Sequence, residues 1–356
     1  MIFYREVLGR LLQEIHIKII QMRNFLVLIL IVTFMSCQSK QKSQYKTTGS
    51  IERIDASLDA IISSTAKAEI IAEGFEWSEG PLWIEKQKML LFSDVPMNTV
   101  YKWTEEMGKE VYLKPSGFSG TETKSKEPGS NGLTLDNNGN LVLCQHGNRQ
   151  MARMEAPLDK PESKFITLAG LFNGKRFSSP NDAVYNSKGE LFFTDPPYGL
   201  PMQNDNDPEK EIPFNGVYEV TAGGTVLLLA DSISRPNGIA FFPGETKLLV
   251  ASSDPDKPNW YLIDTKPTDK IAAPEIFYSA AGYDKKSKGL PDGLKIDSKG
   301  NVFATGPGGI WIFNSEAKLL GKIKLDEATS NVALSPDEKT LYVTNDMQVL
   351  RIKMRD

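Results

Sequence analysis

Cysteine and histidine are scarce, with two of each in 356 residues: Cys37, Cys144, His16 and His146. A disulfide framework is excluded on that count. So are Cys/His zinc clusters and multi-histidine metal sites, which need more thiols and imidazoles than the chain has. Any metal must be held by oxygen. Basic charge is not in surplus either. Lys+Arg 41 against Asp+Glu 45 gives a net charge of -4, which leaves nothing to neutralise nucleic-acid phosphates. The one membrane-like stretch, Phe25–Phe34, is far shorter than the ~20 residues a spanning helix needs. With 40% hydrophobic and 24% charged residues, the bulk of the chain has the composition of a folded globular protein.

That short apolar stretch follows Arg23 and ends in Phe34-Met35-Ser36-Cys37. Positive charge, apolar core, small residue and cleavage point, in that order, predict a secretory signal over residues 1–36. A cysteine directly after the small residue resembles a bacterial lipobox, although Phe34 stands where Leu is usual. Cys37 is therefore expected to carry lipid and to anchor an envelope protein. Gln38 is not the Asp that retains lipoproteins at the inner membrane, which points to the outer membrane, facing the periplasm. Met22 opens a signal of normal length, so it competes with Met1 as the true start. The polar stretch that follows predicts a solvated tether over 37–66. Without residues 1–36 the charges stand at 37 basic against 43 acidic, and Cys144 is the one thiol besides the anchor.

From about Ala68 one pattern is written six times, beginning at Ser78, Ser130, Pro180, Pro236, Pro291 and Ser330. Each copy has a small residue or Pro, then an acidic or amide side chain, usually Gly, and a short alternating strand. A polar turn such as Asn137-Asn138-Gly139-Asn140 leads into a second, more apolar strand, as a hairpin requires. The lead residues Glu79, Asn131, Asn181, Asn237, Asp292 and Asn331 are 52, 50, 56, 55 and 39 residues apart. Such periods fit four strands per unit, and six units predict an all-β, six-bladed β-propeller over 67–356. Residues 67–73 form a spare strand expected to pair into the last blade and close the ring.

In a propeller the first strand of every blade lines the central channel. The six lead residues should therefore meet on one rim, offering one Glu, one Asp and four Asn. Hairpin geometry should bring back Asp94, His146, Asp195, Ser252, Gly306 and Asn345 beside them. Asn and Asp before Gly are also favoured turn residues, so any one of these sites has a structural explanation, Asn331 above all. Glu79 has none. With Asp292 it supplies two negative charges, and the amide oxygens complete a hard donor set suited to Ca²⁺ or Mg²⁺.

At these residues the sequence resembles the regucalcin/gluconolactonase family of six-bladed propellers, metal-dependent hydrolases of lactones. The resemblance spans about Ile70 to Lys353 and rests on Glu79-Gly80-Pro81-Leu82-Trp83, Ser179-Pro180-Asn181-Asp182, Phe193-Thr194-Asp195-Pro196, Pro236-Asn237-Gly238 and Pro291-Asp292-Gly293. It implies that Glu79, Asn237 and Asp292 bind the divalent ion, with Asn181 as a further ligand. Ca²⁺ is the first expectation, with Mg²⁺, Mn²⁺ and Zn²⁺ as the other candidates. It also implies that Asp292 is the catalytic base. The regucalcin branch carries an Arg where this chain has Ser179, and the Cys-Gln-His-Gly-Asn-Arg run over 144–149 looks more like the bacterial gluconolactonase branch.

The expected reaction is attack of an activated water on the carbonyl of a sugar lactone. His146 is a candidate second acid/base, or else a packed rim histidine. Asn131, Asn181 and Tyr198 are the expected substrate contacts, with wall packing as the alternative for Tyr198. Asp182 and Asp195 are equally suited to bracing blades, and Cys144 to filling a strand interior. The competing reading is a non-catalytic calcium-binding propeller for an envelope sugar or protein. An open metal rim would favour the enzyme; a rim sealed by a side chain of the sixth blade would favour the binding module.

Overall fold

The repeated hairpins build six antiparallel sheets. The computed structural model describes residues 45–265 and 271–355, together with the isolated Gly9 and His16. The innermost strands are Ser78–Ile84, Ser130–Leu135, Ala183–Tyr185, Pro236–Phe241, Leu294–Ile296 and Thr329–Leu334. Each pairs with the strand that follows it in sequence, and each blade grows outward from there. Apolar residues alternate with polar ones where a strand faces a neighbouring blade on one side only. The second strands, such as Leu90-Leu91-Phe92 and Leu248-Leu249-Val250, are apolar throughout because they are covered on both faces. Six clusters of buried apolar side chains result, one in each seam between adjacent blades. The six-bladed propeller is as expected.

Ring closure follows the expected route. Ala68–Glu73 pairs with Gln348–Lys353, so the last blade takes its fourth strand from the start of the domain. The expected tether over 37–66 is too long. From Tyr45 the chain belongs to the fold: Thr47–Thr48 extends the sixth blade, and Ser50–Arg53 pairs with Leu319–Lys324 to extend the fifth. A short 3-10 turn, Ala56–Ala60, follows, with the Asp55 carboxylate accepting the Ser57 N–H at 2.9 Å. The physical reason is a few apolar side chains within a polar stretch. Leu58 and Ile62 are fully buried and Ile61 nearly so, all in the seam between blades 5 and 6. The extra strands cap two sheet edges at the junction where the ring closes.

The signal, the lipobox at Cys37 and the first part of the tether fall outside the described residues, apart from Gly9 and His16. Among the described residues no helix is long and apolar enough to cross a membrane.

Candidate functional site

The inner-strand geometry explains why the lead motif reads as acid or amide followed by Gly. In blades 1, 2, 4 and 6 the ladder of the innermost strand shifts register at the lead residue, a bulge that re-aims its side chain. In blades 3 and 5 the lead residue lies just before the strand begins. The glycine that follows packs on the next blade. A Cβ on Gly80 would come within 2.3 Å of the Asn131 carbonyl oxygen, and one on Gly238 within 2.2 Å of the Asp292 carbonyl oxygen. Only glycine allows adjacent lead strands to approach this closely. Hydrogen bonds then link the ring: Gly132 N–H donates to the Asn181 carbonyl at 2.7 Å, and Thr194 Oγ1 to that of Asn237 at 2.8 Å.

Five of the six lead residues line one cavity of about 310 Å³, shared with Trp77, Glu127, Tyr198 and Ser253. Glu79, Asn131, Asn181, Asn237 and Asp292 meet there. Four oxygens in it are buried without any hydrogen-bond partner: Oδ1 of Asn131, Asn181, Asn237 and Asp292. One unsatisfied buried oxygen costs ~1–3 kcal/mol, so four converging on one space mark a cation- or ligand-binding cradle. Glu79 is 2% exposed, its Oε2 accepting the Gly80 N–H at 2.7 Å. Burial, then repulsion from Asp182, raises its pKa above the carboxylate range. Burial and the charges of Glu79, Asp182 and Glu127 raise that of Asp292 as well. Crowded carboxylates and orphaned amide oxygens are what a hard divalent ion would satisfy, and the donor set contains neither sulfur nor imidazole.

Ser253 sets the orientation of one amide. Its Oγ donates to the Pro291 carbonyl at 2.7 Å and accepts from Asn237 Nδ2 at 2.9 Å. The amide nitrogen of Asn237 is thereby committed, and its oxygen is turned into the cavity. Tyr198 donates to the Ser253 carbonyl at 3.3 Å, and the Arg235 guanidinium sits 5.7 Å from its ring centre. With its hydroxyl engaged, Tyr198 forms a wall of the cavity.

Asn331 does not join the others. Its Oδ1 accepts the Val332 N–H at 2.8 Å, and its Nδ2 donates to Asp182 Oδ2 at 3.5 Å. The sixth blade contributes Ala328 and Thr329 to the cavity instead, and Asp292 keeps part of its surface exposed. The returning second-strand residues act as braces. Asp195 accepts the N–H groups of Ser178 and Ser179 at 2.9 and 2.6 Å, and Asp94 those of Glu76 and Trp77 at 3.3 Å. Asp182 accepts the Ala183 N–H at 2.9 Å and lies 3.7 Å from Lys295. Cys144 is buried in a strand, and burial raises its thiol pKa well above the ordinary value.

His146 is fully buried and does not line the cavity; neither ring nitrogen has a hydrogen-bond partner. Its Nδ1 lies 3.7 Å from Oε2 of Glu127, which does reach the cavity. Glu127, Trp77 and Ser253 were not singled out by the repeats. Ser253 sits one position beyond the expected return of its hairpin. Glu127 comes from the loop between blades 1 and 2, where no repeat exists to mark it.

With this geometry in place, the comparisons with known proteins are decisive on kinship. A family model described as the SMP-30/Gluconolactonase/LRE-like region matches residues 77–346. The chain belongs to that family. It is 36% identical over 332 residues to a gluconolactonase of Zymomonas mobilis, covering 91% of both chains. A pentonolactonase of Haloferax volcanii is 22% identical over 271 residues, 75% of this chain and 80% of its own. Among solved structures, a gluconolactonase of Xanthomonas campestris superimposes with a TM-score of 0.75 at 26% identity, covering 90% of this chain and all of the other. The family boundary at residue 77 coincides with Trp77, the first residue lining the cavity.

Proposed function

We propose that the protein is a divalent-cation-dependent lactone hydrolase whose substrate is a sugar lactone. The observation that carries this is the convergence of four buried, unpartnered oxygens with Glu79 in one open cavity. The lactonase names of the relatives support the reaction class. Glu79, Asn181, Asn237 and Asp292 are the residues that would hold the ion. A bound divalent ion would polarise the lactone carbonyl and stabilise the negative charge that develops on it. Asp292, partly exposed, removes the proton of the attacking water. Asn131 offers its unpartnered oxygen to a substrate hydroxyl, and Tyr198 and Trp77 shape the walls around the ring. Asn331 bonds to Asp182 and does not line the cavity, which favours an enzyme over a purely structural calcium propeller.

The test is turnover of a panel of five- and six-membered aldonolactones by chelated protein and after addition of Ca²⁺, Mg²⁺, Mn²⁺ or Zn²⁺. Loss on chelation and recovery with an added ion is expected. Full turnover by metal-free protein would overturn the cation dependence, and no turnover of any lactone would overturn the substrate class. For location we propose a lipid anchor on Cys37 at the outer membrane, facing the periplasm. Cys37→Ser should move the protein from the membrane to the soluble fraction, and unchanged fractionation would refute the anchor.

A further inference from the structure

Glu127 was not among the expected site residues, yet it lines the cavity that holds Asp292, and its charge acts on that carboxyl. Two loops place it there. It belongs to the connection between blades 1 and 2, and its Oε1 accepts from Gln203 Nε2 at 2.9 Å, a residue of the long connection within blade 3. The second oxygen, Oε2, faces His146 Nδ1 at 3.7 Å. Both loops also pack around the turn that carries His146. A Cβ on Gly199 would lie 2.8 Å from the Cβ of His146, and one on Gly147 would lie 2.5 Å from Phe118. Among the described residues no Lys or Arg forms an ion pair with Glu127. A carboxyl at a substrate cavity, backed by a buried imidazole that has no other partner, is not needed to hold the blades together.

We propose that Glu127 is the general acid of lactone opening, with His146 behind it as a positioning residue. This rests on the lactonase reading above. Water oxygen bonds to the carbonyl carbon while Asp292 takes the water's proton. The ring C–O bond then breaks, its electron pair stays on the ring oxygen, and that oxygen receives the proton of Glu127. The product is the hydroxy acid; Asp292 releases its proton to solvent and Glu127 regains one from solvent, so the balance is lactone plus water. Burial supports the assignment, since it raises the Glu127 pKa to about 7 although the Gln203 hydrogen bond opposes it. Burial also lowers that of His146 to about 3, opposed only in part by the Glu127 backbone, which keeps the imidazole neutral.

A general acid matters in proportion to how poor the leaving group is. Glu127→Gln keeps the shape and an oxygen for Gln203 but has no proton to give. On an aliphatic aldonolactone kcat should fall by about 10²–10⁴-fold, and on a phenyl ester, whose leaving group departs without help, by far less. Both rates come from one preparation, so partial unfolding would lower them together. His146→Gln should lower lactone kcat by less than Glu127→Gln, and the double variant should fall no further than Glu127→Gln. Equal losses on both substrates, or no loss on either, would overturn the acid role while leaving the lactonase reading intact. A double variant far below Glu127→Gln would overturn the positioning role of His146. In the wild type, a steep dependence of rate on leaving-group basicity would also overturn the proposal, without any variant. A wild type that opens no lactone would remove both readings.

Discussion

Ser253→Ala isolates one oxygen ligand without touching it. In the wild type the Ser253 hydroxyl takes the Nδ2–H of Asn237 at 2.9 Å, so the amide oxygen has no choice but to face the cavity. Removing that hydroxyl leaves a buried N–H with no acceptor, at ~1–3 kcal/mol, unless the amide rotates towards the cavity. Rotation relieves the cost in the ion-free protein and presents a donor where a cation needs an oxygen. Binding must then turn the amide back and restore the unsatisfied N–H, so the penalty appears in affinity. About 1–2 kcal/mol corresponds to roughly 5- to 30-fold weaker binding, since ~1.4 kcal/mol is tenfold. Calorimetric titration of chelated protein with Ca²⁺ measures it, and kcat at saturating ion should change far less than the affinity. Ser253→Thr keeps the oxygen and should restore most of the binding. An affinity for Ser253→Ala within twofold of wild type would refute the argument that this hydroxyl orients the ligand.

Asp292→Asn retains an oxygen for the ion but cannot take a proton, so kcat on a lactone should fall by about 10²–10⁴-fold with ion saturating. Retained turnover would reduce Asp292 to a ligand. Ion affinity should rise with pH. Burial raises the pKa values of both Glu79 and Asp292 in the ion-free protein, so at neutral pH a binding ion must displace protons, and that competition fades as pH rises. Calorimetry in buffers of different ionisation enthalpy counts the protons released, and none released near neutrality would contradict the crowding described above. Leu58→Ala should destabilise the domain by about 2–5 kcal/mol through a cavity in the seam of blades 5 and 6, read from denaturant unfolding. A loss below ~0.5 kcal/mol would return residues 45–66 to the status of a tether.

The propeller was legible because its physics repeats. A single Asn-Gly is a turn; six lead residues at blade-like spacing are a ring, and the glycines record a contact that the sequence does not state. Gly80 and Gly238 follow their lead residues because the carbonyls of Asn131 and Asp292 occupy the space a side chain would need. The convergence of Glu79, Asn131, Asn181, Asn237 and Asp292 follows from the same register. Asn331 shares the register but differs in its surroundings. Asp182, where four of the other blades carry Gly, provides an acceptor for its amide nitrogen. Position along a strand was readable from sequence; the direction of a side chain depended on a residue in another blade.

What was missed lies where nothing repeats. Glu127 and Gln203 occur once each, on long connections of unrelated sequence, and their 2.9 Å hydrogen bond joins residues 76 positions apart. Leu58 and Ile62 were hidden in a polar stretch whose average composition resembles a linker, yet full burial of two such side chains contributes ~3–6 kcal/mol, enough to hold a segment of that size against the seam. His146 is placed by register, since its hairpin returns it to the rim, but the loops packed around it cannot be inferred from that hairpin. The blades therefore account for the oxygen cradle, which five of them share in building. The loops add to the asymmetry of the cavity, because they bring Glu127 to one side of it, against the imidazole of His146. In a scaffold whose blades present nearly the same face six times, a reaction that must distinguish an attacking water from a departing ring oxygen has to take that distinction from the connections.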